Sequence, residues 1–213
     1  MAEAARYLKV APATLRSWVA GRRYPKALNV ARTAPLIQPA RKDPPILSFW
    51  SLIEAHVLRS LRTDHGVPME ALRTALAFAE KTLSIDRLLL SPELRTDASR
   101  LLLERYGELI DLSASGQLAM RVAFKDHLAR VEWDAWKFPV RLYPFPYSGA
   151  ATAQPIAIDP QIAFGRPVIA LRGISTGAIA ERIDAGESAI DVAEDYDLSE
   201  RDIEEAVLYE RAA

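Results

Sequence analysis

The sequence predicts a mainly α chain with small β elements, and three observations predict it. Apolar residues recur at helical spacing near the start (Ala4, Ala5, Leu8, then Leu15, Trp18, Val19), over residues 49 to 83, and again from Ile179 to Val207. Between residues 85 and 147 the period changes to short apolar runs bounded by Gly and Pro. A small, polar stretch, SGAATAQ from Ser148 to Gln154, then separates this middle from the last third of the chain. The expected domains are therefore 1–84, 85–147 and 156–213, with 148–155 as a linker.

Composition narrows the function classes. With 213 residues and 50% hydrophobic content, the chain can bury substantial cores, and 26% charged residues is ordinary for a soluble protein. It contains no long apolar run and no basic-then-apolar leader, so a soluble, cytoplasmic protein that does not enter membranes is expected. With no cysteine there is no disulfide framework and no thiolate metal site, and three histidines leave little for metal or acid–base chemistry. Nucleophile-elbow, P-loop, HExxH, CxxC and GxGxxG patterns are all missing. No enzymatic activity, cofactor or metal is expected.

The formal net charge of −1 conceals a strong polarity. Residues 1 to 62 hold 11 bases and three acids, a net of +8, whereas 174 to 213 hold 12 acids and three bases, a net of −9. The stretch between them balances at 13 and 13. Ends so different suit different partners, a polyanion at the front and something cationic or apolar at the back; the alternative is that the two ends neutralise each other within a dimer.

In the first helical pair, EAARYLK places Ala4, Ala5 and Leu8 on one face, and after a turn at Val10-Ala11-Pro12 the second helix buries Leu15, Trp18 and Val19. Pro12 fits the first turn of that helix, where its missing N–H costs nothing. Thr14, Arg16 and Ser17 then face outward, and Arg22, Arg23 and Tyr24 follow directly. A short helix held by apolar residues that offers hydroxyl and guanidinium groups to base edges and phosphates is what a recognition helix requires. The plain alternative is a helical hairpin with a solvated basic face, and the adjacent basic run favours DNA.

Residues 25 to 47 are proline-rich, with apolar pieces at Leu36-Ile37 and Ile46-Leu47 and the bases Arg41 and Lys42 between them. This fits a β-hairpin whose tip carries positive charge against the DNA backbone, with a disordered basic loop as the alternative. Two further helices follow, one buried through Phe49, Leu52, Ile53, Val57 and Leu61, the other through Met69, Leu72, Leu76, Ala79 and Leu83. In the middle unit, LLLERYGELIDL suggests two strands turning at Tyr106-Gly107, and a helix from about Gln117 to Leu128 comes next. A second hairpin spans Arg130 to Tyr143. Trp133, Trp136, Phe138, Tyr143, Phe145 and Tyr147 form an aromatic cluster expected in a core or an oligomer contact.

The last third opens with an extended segment, then three short helices split at Gly186-Glu187-Ser188 and at Asp195 to Ser199. Ser199 with Asp202 makes a capping box for the final helix. Three such helices outline a helix-turn-helix, but the final one exposes Glu200, Glu204, Glu205 and Glu210, and carboxylates there repel phosphates. Nucleic-acid contact is therefore expected at the front of the chain.

AARYLKVAPATLRSWV resembles the winged helix-turn-helix of the MerR-like class, whose second helix carries T-L-R-x-W, here Thr14, Leu15, Arg16 and Trp18. Two departures stand out. Met1-Ala2 leaves no room for a preceding strand, which suggests a start further upstream, and Ala11 occupies a cap position usually held by Ser or Asn. The segment I-D-P-x-I-x-x-G-x-P-V-I, with the later A-G-E-S and A-E-D-Y-x-L-S-x-x-D-I-E-E-A, resembles a prokaryotic helix-turn-helix family first catalogued as a domain of unknown function and found in VapB-type antitoxins. Together the resemblances imply an N-terminal winged helix-turn-helix, a middle α+β unit and a C-terminal three-helix, helix-turn-helix-like domain. They imply the antitoxin of a two-gene operon, a homodimer or part of a higher toxin–antitoxin assembly, that silences a PIN-like ribonuclease toxin and represses its own promoter by binding operator DNA. The alternative is a MerR-like regulator with a small-molecule effector bound by residues 85–147.

Overall fold

The computed structural model describes residues 1–26, 29–63, 67–91, 102, 122, 127–144 and 154–212, with backbone alone over 23–32. It divides the chain into two compact units, 1–129 and 130–213. The expected separate middle domain is not observed. Its start belongs to the first unit and its end to the second.

In the first unit, α1 (Ala2–Tyr7) and α2 (Pro12–Ala20) form the helical pair. Ala5, Leu8, Leu15, Trp18 and Val19 are buried, as the periodicity predicts. The antiparallel hairpin β1 (Arg23–Lys26) and β2 (Asn29–Arg32) follows α2, and a second, two-residue hairpin joins β3 (Arg41–Lys42) to β4 (Pro45–Ile46). The expected strand at Leu36-Ile37 does not form. Both of its N–H groups donate to the Trp18 carbonyl, at 2.7 and 3.1 Å, and Ile37 is fully buried. The apolar pair anchors the chain against the end of α2 instead of pairing in a ladder.

α3 (Phe49–Thr63) is buried on almost every side, and α4 (Met69–Leu83) packs Leu72, Ala75, Leu76 and Ala79 inward. Ser48 caps α3 by accepting from the Ser51 N–H at 3.1 Å. The run Leu88–Leu90 is a turn of 3₁₀ helix, buried and in contact with α3 and α4. Arg87, beside it, gives Glu54 of α3 two parallel bonds of 3.0 and 2.7 Å. Of the strands expected in 101–112, only Leu102 falls among the described residues, and it is helical and buried. Val122 and His127-Leu128, from the helix expected over 117–128, are helical.

The second unit is built on a five-stranded antiparallel sheet in the order β5-β6-β7-β8-β9. Its strands are β5 (Val131–Trp133), β6 (Pro139–Leu142), β7 (Ile156–Ile158), β8 (Pro167–Ile169) and β9 (Ile174–Ser175). The predicted 130–143 hairpin is present, its turn held by Asp134 Oδ1, which accepts from the Trp136 and Phe138 N–H groups. This hairpin is continuous with the C-terminal sheet, because Leu142 pairs with Ile158 and Arg141 binds the nearly buried Asp159 at 3.0 and 2.8 Å. The expected domain edge at 148–155 therefore falls inside one folded unit; residues 148–153 themselves lie outside the described residues.

Three helices cover the sheet: α5 (Thr176–Asp184), α6 (Ala189–Tyr196) and α7 (Glu200–Arg211). The core between sheet and helices is Ile156, Ile169, Ile179, Val192, Ala193, Ile203, Ala206 and Tyr209. Both expected interhelical turns are observed, and the Ser199–Asp202 capping box is complete. Gly186 turns the chain between α5 and α6 at φ +98°, a left-handed conformation that a Cβ disfavours. The aromatic cluster does not form a core within the unit: Trp136 is 81% and Phe138 49% exposed at the hairpin tip, and Trp133 and Tyr143 are half-buried. Phe145 and Tyr147 lie outside the described residues.

Candidate nucleic-acid interface

The candidate interface is built on α2. Pro12 stands at its first turn, and Ala11 supplies extended cap geometry (φ −55°, ψ 130°) without a side-chain bond to the free N–H groups. Leu15, Trp18 and Val19 bury one side completely, which fixes what the other side shows. At about 100° per residue, Arg16 and Thr14 flank the solvent side on opposite edges, with Ser17 between them. Arg16 is exposed, whereas Thr14 and Ser17 are half-buried. The Ser17 hydroxyl donates to the Thr14 carbonyl at 2.7 Å, so part of its hydrogen-bonding capacity is spent within the helix.

Gly21 ends α2 at φ 71° and delivers Arg22, exposed, to the base of the first hairpin. There the Arg22 N–H donates to Thr33 Oγ1 at 2.8 Å and the Thr33 N–H donates to the Arg22 carbonyl at 2.9 Å. This clasp fixes the backbone from which the Arg22 side chain projects. Arg23 and Tyr24 lie in β1, opposite Arg32 and Ala31; their side chains lie outside the described residues. The same ribbon carries Lys26 and Arg32, which the sequence reading did not single out. Their signal was present as bases on both sides of Pro25, but a proline inside a run marks an edge strand at best.

Arg41 and Lys42 are exposed, as expected, but they occupy β3 and not the tip of a hairpin between 36 and 47. The tip is Asp43-Pro44, and Arg41 Nε donates to the Pro44 carbonyl at 3.4 Å. Bases carried on a strand project with its alternation, so the two side chains leave the ribbon on opposite faces. Arg73 of α4 donates to the Ala34 carbonyl and holds the segment between the hairpins against the helices.

The final helix contrasts with this surface. Glu200 and Glu204 of α7 are exposed, as expected, but Glu205 is buried and Glu210 is half-buried, its Oε1 2.5 Å from the Thr176 hydroxyl. Of the three bases after residue 174, Arg182 is held by Glu187 and by Asp195 (2.6 Å to Asp195) and lies 5.0 Å over the Tyr196 ring, and Arg211 binds Asp184 at 2.6 Å. The Arg182 guanidinium holds the Glu187 carboxyl below its ordinary range. These cations are committed to neighbouring carboxylates, which leaves the helices of the second unit with a negative surface.

A buried-backed second helix, exposed guanidiniums and two following hairpins define the class: a helix-turn-helix protein, here followed by a C-terminal unit of sheet and helices. Residues 1–76 match the family model described as "Putative DNA-binding HTH domain", and residues 156–209 match "Protein of unknown function (DUF433)". The chain is 30% identical to "Putative antitoxin VapB45" of Mycobacterium tuberculosis, over 97% of this chain and 91% of that one. It belongs to the VapB-type antitoxin family. The crystal structure of Rv2018 from Mycobacterium tuberculosis has the same fold, with a TM-score of 0.68 at 24% identity over 97% of this chain and 95% of that chain. Among the described residues no helix is long and apolar enough to cross a membrane.

Proposed function

We propose that this protein is the antitoxin of a two-gene toxin–antitoxin system, that its first unit binds operator DNA to repress the shared promoter, and that its second unit holds and neutralises a PIN-like ribonuclease toxin. The observation that carries the division is the surface of α2: one side wholly buried, the other presenting Arg16, with Arg22 exposed at its exit and Arg41 and Lys42 on the second hairpin. Thr14, Arg16 and Ser17 enter the major groove, where Arg16 is placed to pair with guanine and the hydroxyls to meet flanking groups. Arg22, Arg23, Tyr24, Arg41 and Lys42 contact the phosphate backbone. The protein acts in the cytoplasm as a homodimer, since two copies of such a short helix read two half-sites.

The test is the double variant Arg16→Ala with Arg22→Ala, assayed by fluorescence anisotropy on the promoter of its own operon and by capture of the co-expressed toxin. Operator binding should be abolished and toxin capture retained. Loss of toxin capture in this variant would overturn the division of labour.

A further inference from the structure

The helical cover of the second unit is not closed. Between α5, α6 and α7 lies a groove of about 280 Å³ whose floor and walls are Ile183, Ala189, Ile203, Val207 and Leu208, with Glu204 at its rim. Leu208 is 46% exposed, and so is Ile190, at 54%, on the outer side of α6. Ile190 borders a second, acidic recess on the same two helices, lined by Glu194, Asp197 and Glu200. Glu200, Glu204 and Leu208 are spaced by four residues along α7, so they share one helical face that runs from the acidic recess to the apolar groove. A solvent-facing leucine at the end of a carboxylate row contributes nothing to the core described above, and exposed apolar surface rimmed by charge marks an interaction site.

Charge decides what fits there. Residues 189 to 211 contain nine carboxylates and two guanidiniums, and one of the two, Arg211, is paired with Asp184 at 2.6 Å. Nucleic acid is repelled by this surface. A second copy of the same module would set these carboxylates against their own kind, a juxtaposition that interfaces use to reject partners. A cationic segment gains on both counts, desolvating its apolar side chains while its charges meet a complementary rim. A groove between helices accepts an amphipathic helix through apolar anchors three and four residues apart.

We propose that the α5–α6–α7 groove is the seat of a cationic amphipathic helix of the toxin. Apolar anchors of that helix fill the space between Ile183, Ile203 and Val207 and cover Leu208, and its flanking Lys or Arg side chains reach Glu200, Glu204 and Glu194. The assignment rests on the antitoxin reading above, and it adds where on the second unit the toxin sits and the chemistry by which it is recognised.

Two variants of the full-length chain test it: Leu208→Asp, and the charge reversal Glu200→Lys with Glu204→Lys. All three residues are exposed, and thermal melting verifies that each variant folds. Each chain is co-expressed with the ribonuclease encoded by its operon, the captured protein is identified by mass, and affinity is measured at low and high salt. Operator anisotropy and the solution mass of the free chain are measured alongside. Each variant should weaken toxin binding by at least about tenfold, the scale of a central interface residue. The charge-reversal effect should shrink as salt screens the rim, whereas the Leu208→Asp effect persists; operator affinity and solution mass should stay unchanged. Toxin affinity within about twofold of wild type in both variants would overturn the groove while leaving the antitoxin reading standing. A drop in solution mass with Leu208→Asp would overturn it in favour of a seam between copies. A wild-type chain that fails to capture the ribonuclease would overturn the antitoxin reading and the groove together.

Discussion

Glu54 is the most demanding single residue in the first unit. It sits on α3 with only 2% of its surface exposed, and burial pushes its carboxyl above the ordinary glutamate range, opposed by the paired Arg87 guanidinium. Arg87 meets it with two parallel bonds and lies 5.7 Å over the Trp50 ring. Removing one partner of a buried pair leaves an uncompensated charge and typically costs about 3–5 kcal/mol. Arg87→Ala should therefore destabilise the protein by an amount near the lower end of that range, since Arg87 itself is partly exposed. The loss should also depend on pH. Without Arg87 the carboxyl rises further, so the folded state binds a proton that the unfolded state has released above about pH 4.3. Stability of the variant should then fall as pH increases from that value through the folded-state pKa. Urea unfolding at pH 5 and pH 8 checks this, and a deficit no larger at pH 8 would assign Arg87 a packing role alone.

At the scale of elements, the helix starts separate what is optimised from what is not. Ser188 and Ser199 accept N–H bonds at the starts of α6 and α7, and the second forms a full capping box. Ala11 holds the same position at α2 with compatible backbone geometry and no side-chain acceptor. Ala11→Ser should raise stability by about 1 kcal/mol and Ser199→Ala should lower it by a similar amount, both read from urea midpoints at constant slope. The caps also explain why these helices were legible in the sequence: Pro12, Gly186 and the Ser199–Asp202 spacing are local signals, and the apolar period around them is regular. What was not legible depends on distant pairing. The β1–β2 ribbon contains Pro25 within a strand and is closed by Thr33, 11 residues beyond Arg22. Leu36-Ile37 carries a strand-like pair but bonds to the Trp18 carbonyl. The hairpin 131–142 was visible, yet its membership of the C-terminal sheet rests on Leu142 opposite Ile158 and on Arg141 reaching Asp159, contacts that no local pattern announces. The candidate site was correspondingly half legible. Helical spacing assigns Arg16 to the open side of α2, whereas the positions of Arg41 and Lys42 depend on where a two-residue ribbon turns.

At the scale of the whole molecule, the two units divide the charge. Residues 1–129 hold 19 Lys and Arg against 13 Asp and Glu, a net of +6, and residues 130–213 hold eight against 15, a net of −7. A polyanion bound by the first unit releases condensed counterions, and log affinity falls against log salt by about 0.9 for each phosphate neutralised. On the proposed DNA reading Lys42, exposed on β3, meets phosphate, whereas Arg16 meets a base edge. Lys42→Ala should therefore weaken operator and random DNA alike and make the salt slope shallower by about 0.9. Arg16→Ala should reduce the preference for operator over random DNA, by about 1–3 kcal/mol for a lost bidentate base contact. Anisotropy titrations of both DNAs across a salt series separate the two effects. If Arg16→Ala changed only the slope and left the preference intact, α2 would lie along the backbone, and the sequence-reading contacts would belong to another element of the first unit.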